Sequence, residues 1–105
     1  MIEPLRITTR REGTRTFVAV EGEVDMASAP QLENALRDVA DGDIVVDLAG
    51  VAFLDSSGIA TLVRAHRAVG GRGGELTTTG EQALVRHALE VTGLFDVLHP
   101  NDAES

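Results

Sequence analysis

The 105 residues contain no cysteine, no lysine, no tryptophan and no tyrosine. Without cysteine there are no disulfides, no thiolate nucleophile and no cysteine-held metal. All nine basic residues are arginine. A Walker A lysine, a Schiff base and the lysine of phosphorelay receiver domains are therefore excluded. With only three phenylalanines, stacking on nucleobases is not expected to be the main activity. Positive charge is also scarce: 17 acids against nine arginines leave a net charge of −8, the wrong sign for a nucleic-acid binder. No run of 18 apolar residues occurs, so no transmembrane helix and no membrane partner are expected. The opening "MIEPLRITTRREG" lacks an apolar signal core, and a cytoplasmic location is the expectation.

What is present suffices for one core. The apolar content is 43%, and the length fits a single domain over residues 1–105. "LRITTR" (5–10) alternates weakly and reads as an edge strand. "REGT" (11–14) is turn-like. "RTFVAVEGEVD" (15–25) alternates better, with Phe17 and Ala19 on one side and Val18 and Val20 on the other; the two runs predict a hairpin. In "SAPQLENALRDVA", Ser28 and Gln31 have capping-box spacing, Pro30 lies in the first turn, and Leu32, Ala35, Leu36 and Val39 follow helical spacing. "DIVVDLAGV" (43–51) has the β-branched apolar character of a central strand.

A second helix starts near "DSSG" and stops in "GGRGG" (70–74), "ELTTT" (75–79) reads as a strand, and Thr79 with Gln82 suggests another capping box. Leu84, Val85, Ala88 and Leu89 line a third helix, and Gly93 sits at a C-cap position. "LFDVL" reads as a short final strand or docking segment, and 99–105 as a frayed polar tail. The predicted class is α/β: a mixed sheet of four to five strands with three to four helices packed against it.

If the strands ending near Val24, Leu48 and Thr78 are parallel, their C-terminal ends share one edge, where open α/β sheets place function. The loops there carry Glu21, Glu23, Asp25, Asp55 and Glu81 and no arginine. Such an acidic rim suits a basic partner surface better than an anionic substrate.

The stretch "FLDSSGIATLVRAHRAV" (53–69) admits three readings. Asp55 is a good N-cap, and serines in a first turn are common. A serine nucleophile needs a base within hydrogen-bond reach and a group to orient it. "LDSSG" is not the G-x-S-x-G elbow, and His66 lies nine residues, roughly 13 Å of helical rise, further on; the chain does not read as an enzyme. In the third reading a serine is a substrate for phosphorylation at the helix start. At about 100° per residue, Ile59, Leu62, Val63 and His66 form an inward stripe. Ser57 then points outward with Thr61, Arg64 and Ala68, while Ser56 sits half tucked on the flank. Ser57 is the serine that this phase makes reachable.

"GEVD" (22–25), "VVDLAGVAFLDSSGIATLVRAHRAVGGRGGEL" (45–76) and "GLFDVL" (93–98) together resemble the STAS domain, and most of all the free-standing bacterial anti-sigma factor antagonists. The resemblance implies that the serine before the glycine, Ser57, is phosphorylated by an anti-sigma factor that is itself a serine kinase. The unmodified antagonist binds that kinase and releases the sigma factor, phosphorylation switches it off, and a serine phosphatase resets it. ATP and magnesium belong to the kinase, so no cofactor is expected here. Asp25 matches the family's loop aspartate and Asp55 the acid before the serines. Met26 and Ala27 either add an apolar spot to this face or seat the helix. The expected partner face is Glu23, Asp25, Met26, Asp55, Ser56, Ser57, Gly58 and Thr61. A second reading is a STAS subunit that docks on a transporter or a stress-sensing assembly without obligatory phosphorylation.

The remaining features read as structural. Gly70, Gly71, Gly73 and Gly74 follow a helix and precede a strand, the reverse of a phosphate cradle. Asp25, Asp47 and Asp55 are not expected to converge on magnesium, nor do His66, His87 and His99 have metal-ligand spacing. Thr77, Thr78 and Thr79 read as strand end and cap.

Overall fold

A computed structural model describes residues 5–100. In chain order the elements are β1 (Leu5–Glu12), β2 (Arg15–Val24), α1 (Ala29–Arg37), β3 (Asp43–Leu54), α2 (Ser56–Gly71), β4 (Leu76–Thr79), α3 (Ala83–Val91) and α4 (Leu94–Leu98). The sheet order is β1-β2-β3-β4. β1 and β2 form the predicted antiparallel hairpin, turning on Gly13 and Thr14 alone, and β2, β3 and β4 run parallel. Since each strand lies beside its predecessor, no crossover skips a strand and the sheet has no switch-point crevice. Among the described residues no helix is long and apolar enough to cross a membrane.

Side-chain alternation divides the sheet into two faces. Val18, Val20, Ile44, Val46, Leu48 and Leu76 are buried in one core with Leu32 and Leu36 of α1, Leu62 and Val69 of α2, Val85 and Leu89 of α3, and Leu94, Phe95 and Leu98 of α4. The other face carries the row Arg10, Phe17, Val45, Thr77, with the Arg10 guanidinium 4.7 Å from the Phe17 ring centroid. All four helices thus cover one side. Asp47 stands on the open side and accepts from Ala49 N–H at 2.9 Å, away from Asp25 and Asp55.

Several boundaries differ from expectation. β3 runs on to Leu54 because two register shifts against β2 absorb the loss of strict alternation after Leu48; beyond it, burial recurs at Val51 and Leu54. "LFDVL" is α4, and its Leu94, Phe95 and Leu98 have helical spacing. Gly93 does end α3 in the left-handed region, at φ +76°, which a side chain would disfavour.

Neither capping box forms. Ser28 caps α1 without a side-chain bond to the helix, and the Gln31 amide instead accepts from Leu5 N–H at 3.1 Å and donates to Leu5 C=O at 2.7 Å, imitating a neighbouring strand at the edge of β1. Thr79 ends β4, while Gln82 donates to Ala49 C=O at 2.8 Å. Leu84 is exposed rather than lining α3 against the core. His99 is no frayed tail: its ring stacks on Phe95 with centroids 4.2 Å apart, and its Nε2 meets Glu81 Oε2 at 2.5 Å. Residues 101–105 of the expected tail lie outside the described residues.

Candidate functional site

Asp55 leaves β3 in extended conformation, at φ −95° and ψ −172°. Its Oδ1 accepts from Ser57 N–H at 2.8 Å and Gly58 N–H at 3.2 Å. Two of the otherwise unpaired donors at the start of α2 are satisfied this way. Asp55 N–H donates to Val24 C=O at 3.0 Å. That bond joins the two motifs, "DSSG" and "GEVD", at neighbouring parallel strand ends. Gly58 is required by contact: a Cβ there would stand 2.4 Å from Leu54 Cδ1 and 2.8 Å from Val24 Cγ1.

The "GEVD" loop is held from within. Asp25 Oδ1 accepts from Ala27 N–H and Ser28 N–H, both at 3.0 Å, and from Ser28 Oγ at 3.2 Å. The Ser28 hydroxyl shares its single proton between that carboxylate and Glu23 C=O, the nearer acceptor at 2.8 Å, and accepts from Asp25 N–H at 2.9 Å. The Ser28 amide, ahead of the other donors, holds the Asp25 carboxyl below its ordinary value, because hydrogen bonds to the ionised form favour it. This closed loop lifts Met26 into solvent, 78% exposed.

The two serines exchange the places that helix phase gave them: Ser56 is exposed and Ser57 half-buried. Thr61, expected outward, is 1% exposed, and its hydroxyl donates to Ser57 C=O at 3.0 Å. Thr61, expected in the partner face, therefore offers almost no surface there. The reason is tertiary. α2 packs on the sheet and also on α1, so its covered sector is wider than one apolar stripe.

Ser57 lies at a groove of about 320 Å³ between α1 and α2, beside Met26, Ala29 and Pro30. The Ser57 hydroxyl has no hydrogen-bond partner among the described residues. Gly58, expected in the partner face, is buried.

The acidic rim is smaller than the loops suggested. Glu21 and Glu23 are exposed and Asp55 is half-buried, but the Glu81 side chain is only 5% exposed. It accepts from Thr78 Oγ1 at 2.6 Å and pairs with His99. Burial pushes its carboxyl up; the bonds from Thr78 and His99 together outweigh this and leave it below its ordinary value.

One residue outside the expected partner face, Arg64, lines the Ser57 groove. Spacing offered the signal for Arg64, which lies seven residues from Ser57, but phase alone placed both on an outer face.

Comparison with known proteins agrees with this fold. The family model for "Mlab, STAS domain" matches residues 7–99. The anti-sigma-B factor antagonist of Staphylococcus aureus is 34% identical over 101 residues, 93% of this chain and 94% of its own length. An anti-sigma factor antagonist from Mycobacterium paratuberculosis is 28% identical, with a TM-score of 0.79 over 88% of this chain and 80% of that one. SpoIIAA in its unphosphorylated form has a TM-score of 0.77 at 18% identity, over 88% and 84% of the two chains, a likeness of fold alone.

Proposed function

The chain belongs to the STAS domain family of anti-sigma factor antagonists, and on that premise we propose that it binds an anti-sigma factor serine kinase, releases the sigma factor, and is switched off by phosphorylation at Ser57. The observation that carries the reading is the juxtaposition at one sheet edge. A serine hydroxyl with no bonding partner among the described residues stands at the start of α2, sharing a groove with an exposed methionine on a hydrogen-bonded loop. Met26 supplies apolar contact area at the groove, and the exposed Glu21 and Glu23 of β2 add charge complementary to a basic partner.

In the switching step the kinase transfers the γ-phosphoryl group of ATP to Ser57 Oγ. An O–P bond forms, the β–γ bridge breaks, ADP leaves, and the hydroxyl proton passes to a base on the kinase. The product carries about −1.5 to −2 additional charges beside Asp55. A partner fitted to a neutral hydroxyl then loses a contact and meets bulk and charge. Hydrolysis by a serine phosphatase restores the hydroxyl. The domain acts here as ligand and substrate, not as catalyst.

Incubation with the cognate kinase and ATP, followed by mass-spectrometric mapping, tests this directly. Phosphate should be found on Ser57, should be absent in Ser57→Ala, and Ser57→Asp should weaken kinase binding at least about tenfold. Phosphate on the more exposed Ser56 alone, or undiminished binding by Ser57→Asp, would refute it.

A further inference from the structure

Arg64 has no part in the function just described, yet it shares the groove with Ser57 and is the one cation among the described residues that line it. Seven residues are almost two turns of helix, roughly 10.5 Å of rise, and return to nearly the same side. Helical side chains lean toward the N-terminus, so Arg64 leans toward Ser57. Arg64 Nη2 stands 3.4 Å from Thr61 Oγ1, and that hydroxyl donates to Ser57 C=O at 3.0 Å. The guanidinium has thus already covered about one of the two turns.

Glu33 of α1 holds it there. Glu33 Oε1 accepts from Arg64 Nε at 3.1 Å and Nη2 at 2.5 Å, and this bond is the foremost cause of the lowered pKa of Glu33. Glu33 has a second cation, Arg37 Nη2, 3.0 Å from its other oxygen. The carboxylate remains paired if Arg64 departs, and the Arg64 side chain is 57% exposed, so no packing opposes its movement.

We propose that Arg64 is the receptor for the phosphoryl group on Ser57: once Ser57 is modified, the guanidinium exchanges Glu33 for the phosphate and draws it into the α1–α2 groove. This rests on the reading that Ser57 is the modified residue. A phosphate offers three oxygens and up to two charges where Glu33 offers one oxygen and one charge, and a guanidinium matches that geometry. Asp55, at the same helix start, repels the group and sharpens the need for a cation. The consequence is specific. Part of the added charge is neutralised within the protein, and the partner meets a filled groove and an opened Arg64–Glu33 clamp rather than a bare dianion.

Phosphoserine installed at position 57 by genetic-code expansion makes the test independent of any kinase. In a ³¹P NMR titration, the second phosphate ionisation of Arg64→Gln should lie about half a pH unit or more above that of the protein with Arg64. Arg67→Gln, an exposed arginine of the same helix, should leave it unchanged. The helix start and Asp55 act alike in all three proteins, so the difference isolates Arg64. The Arg64 Nε–H signal of the otherwise unaltered phosphoprotein should also move as the phosphate ionises, a readout that needs no substitution. Equal phosphate titration with and without Arg64, or an Arg64 signal indifferent to it, overturns the proposal. A kinase that leaves Ser57 unmodified would instead sink the functional reading, and would do so in a separate experiment.

Discussion

At the scale of single residues, two of the three glycines in the helix that carries the candidate phosphosite have opposite surroundings. Gly58 lies against Leu54 and Val24 with no room for a Cβ, whereas nothing stands within 4 Å of a Cβ built on Gly70. Alanine should gain about 1 kcal/mol of helix propensity over glycine within a helix. At position 58 overpacking costs about 1–3 kcal/mol and should win; at position 70, in the last turn, a gain of about 0.5 kcal/mol should survive. Urea denaturation should therefore show Gly58→Ala with a lowered midpoint and Gly70→Ala with a raised one. Two shifts of the same sign would contradict the packing described for the start of α2.

At the scale of elements, the C-terminal helix pair is secured by polar and aromatic contacts as well as by its leucines. The Phe95 ring is stacked by His99 on one side and approached by the Arg86 guanidinium, 4.4 Å from its centroid. His99 Nε2 bonds to Glu81, and a carboxylate partner requires that nitrogen to carry the proton. The Glu81 carboxyl sits below its ordinary 4.5, which fixes the sign of the pH effect. Its contribution to stability is complete above that unfolded value and is lost as pH falls through the lower folded value. Urea unfolding followed from pH 6 down to pH 3 should show less acid loss in Glu81→Gln than in the unaltered protein, with hydrogen exchange in α4 rising first in the latter. Identical acid limbs would mean that the Glu81–His99 contact contributes nothing.

For the whole molecule, the net charge of −8 is spread so that Glu21 and Glu23 remain exposed at the proposed contact edge. A basic partner surface should then be steered by the long-range field, which salt screens over about 10 Å at 0.1 M. Association with the anti-sigma factor should slow several-fold, about 3- to 10-fold, on raising ionic strength from 0.05 to 0.5 M. Glu23→Gln should reduce the on-rate more than it alters the off-rate. Stopped-flow association that is indifferent to salt would leave the acidic edge without its assigned role.

The linear chain decided whatever depends on a residue and its near neighbours. Alternation fixed β2 and the first half of β3, the Asp55 carboxylate fixed where α2 begins, Gly93 fixed where α3 ends, and "GEVD" with "DSSG" marked the edge at which they meet. Packing of one element on another decided the rest. α1 covers a flank of α2, so Thr61 is buried, Ser57 retreats to a groove and Ser56 is left outside. Gln31 serves the edge of β1 instead of its own helix. Glu81 turns inward to His99 across 18 residues, and Arg64 joins Glu33 across 31. Helical periodicity reports direction around one axis, while burial depends on what stands in that direction, and only the folded arrangement of neighbouring elements supplies it.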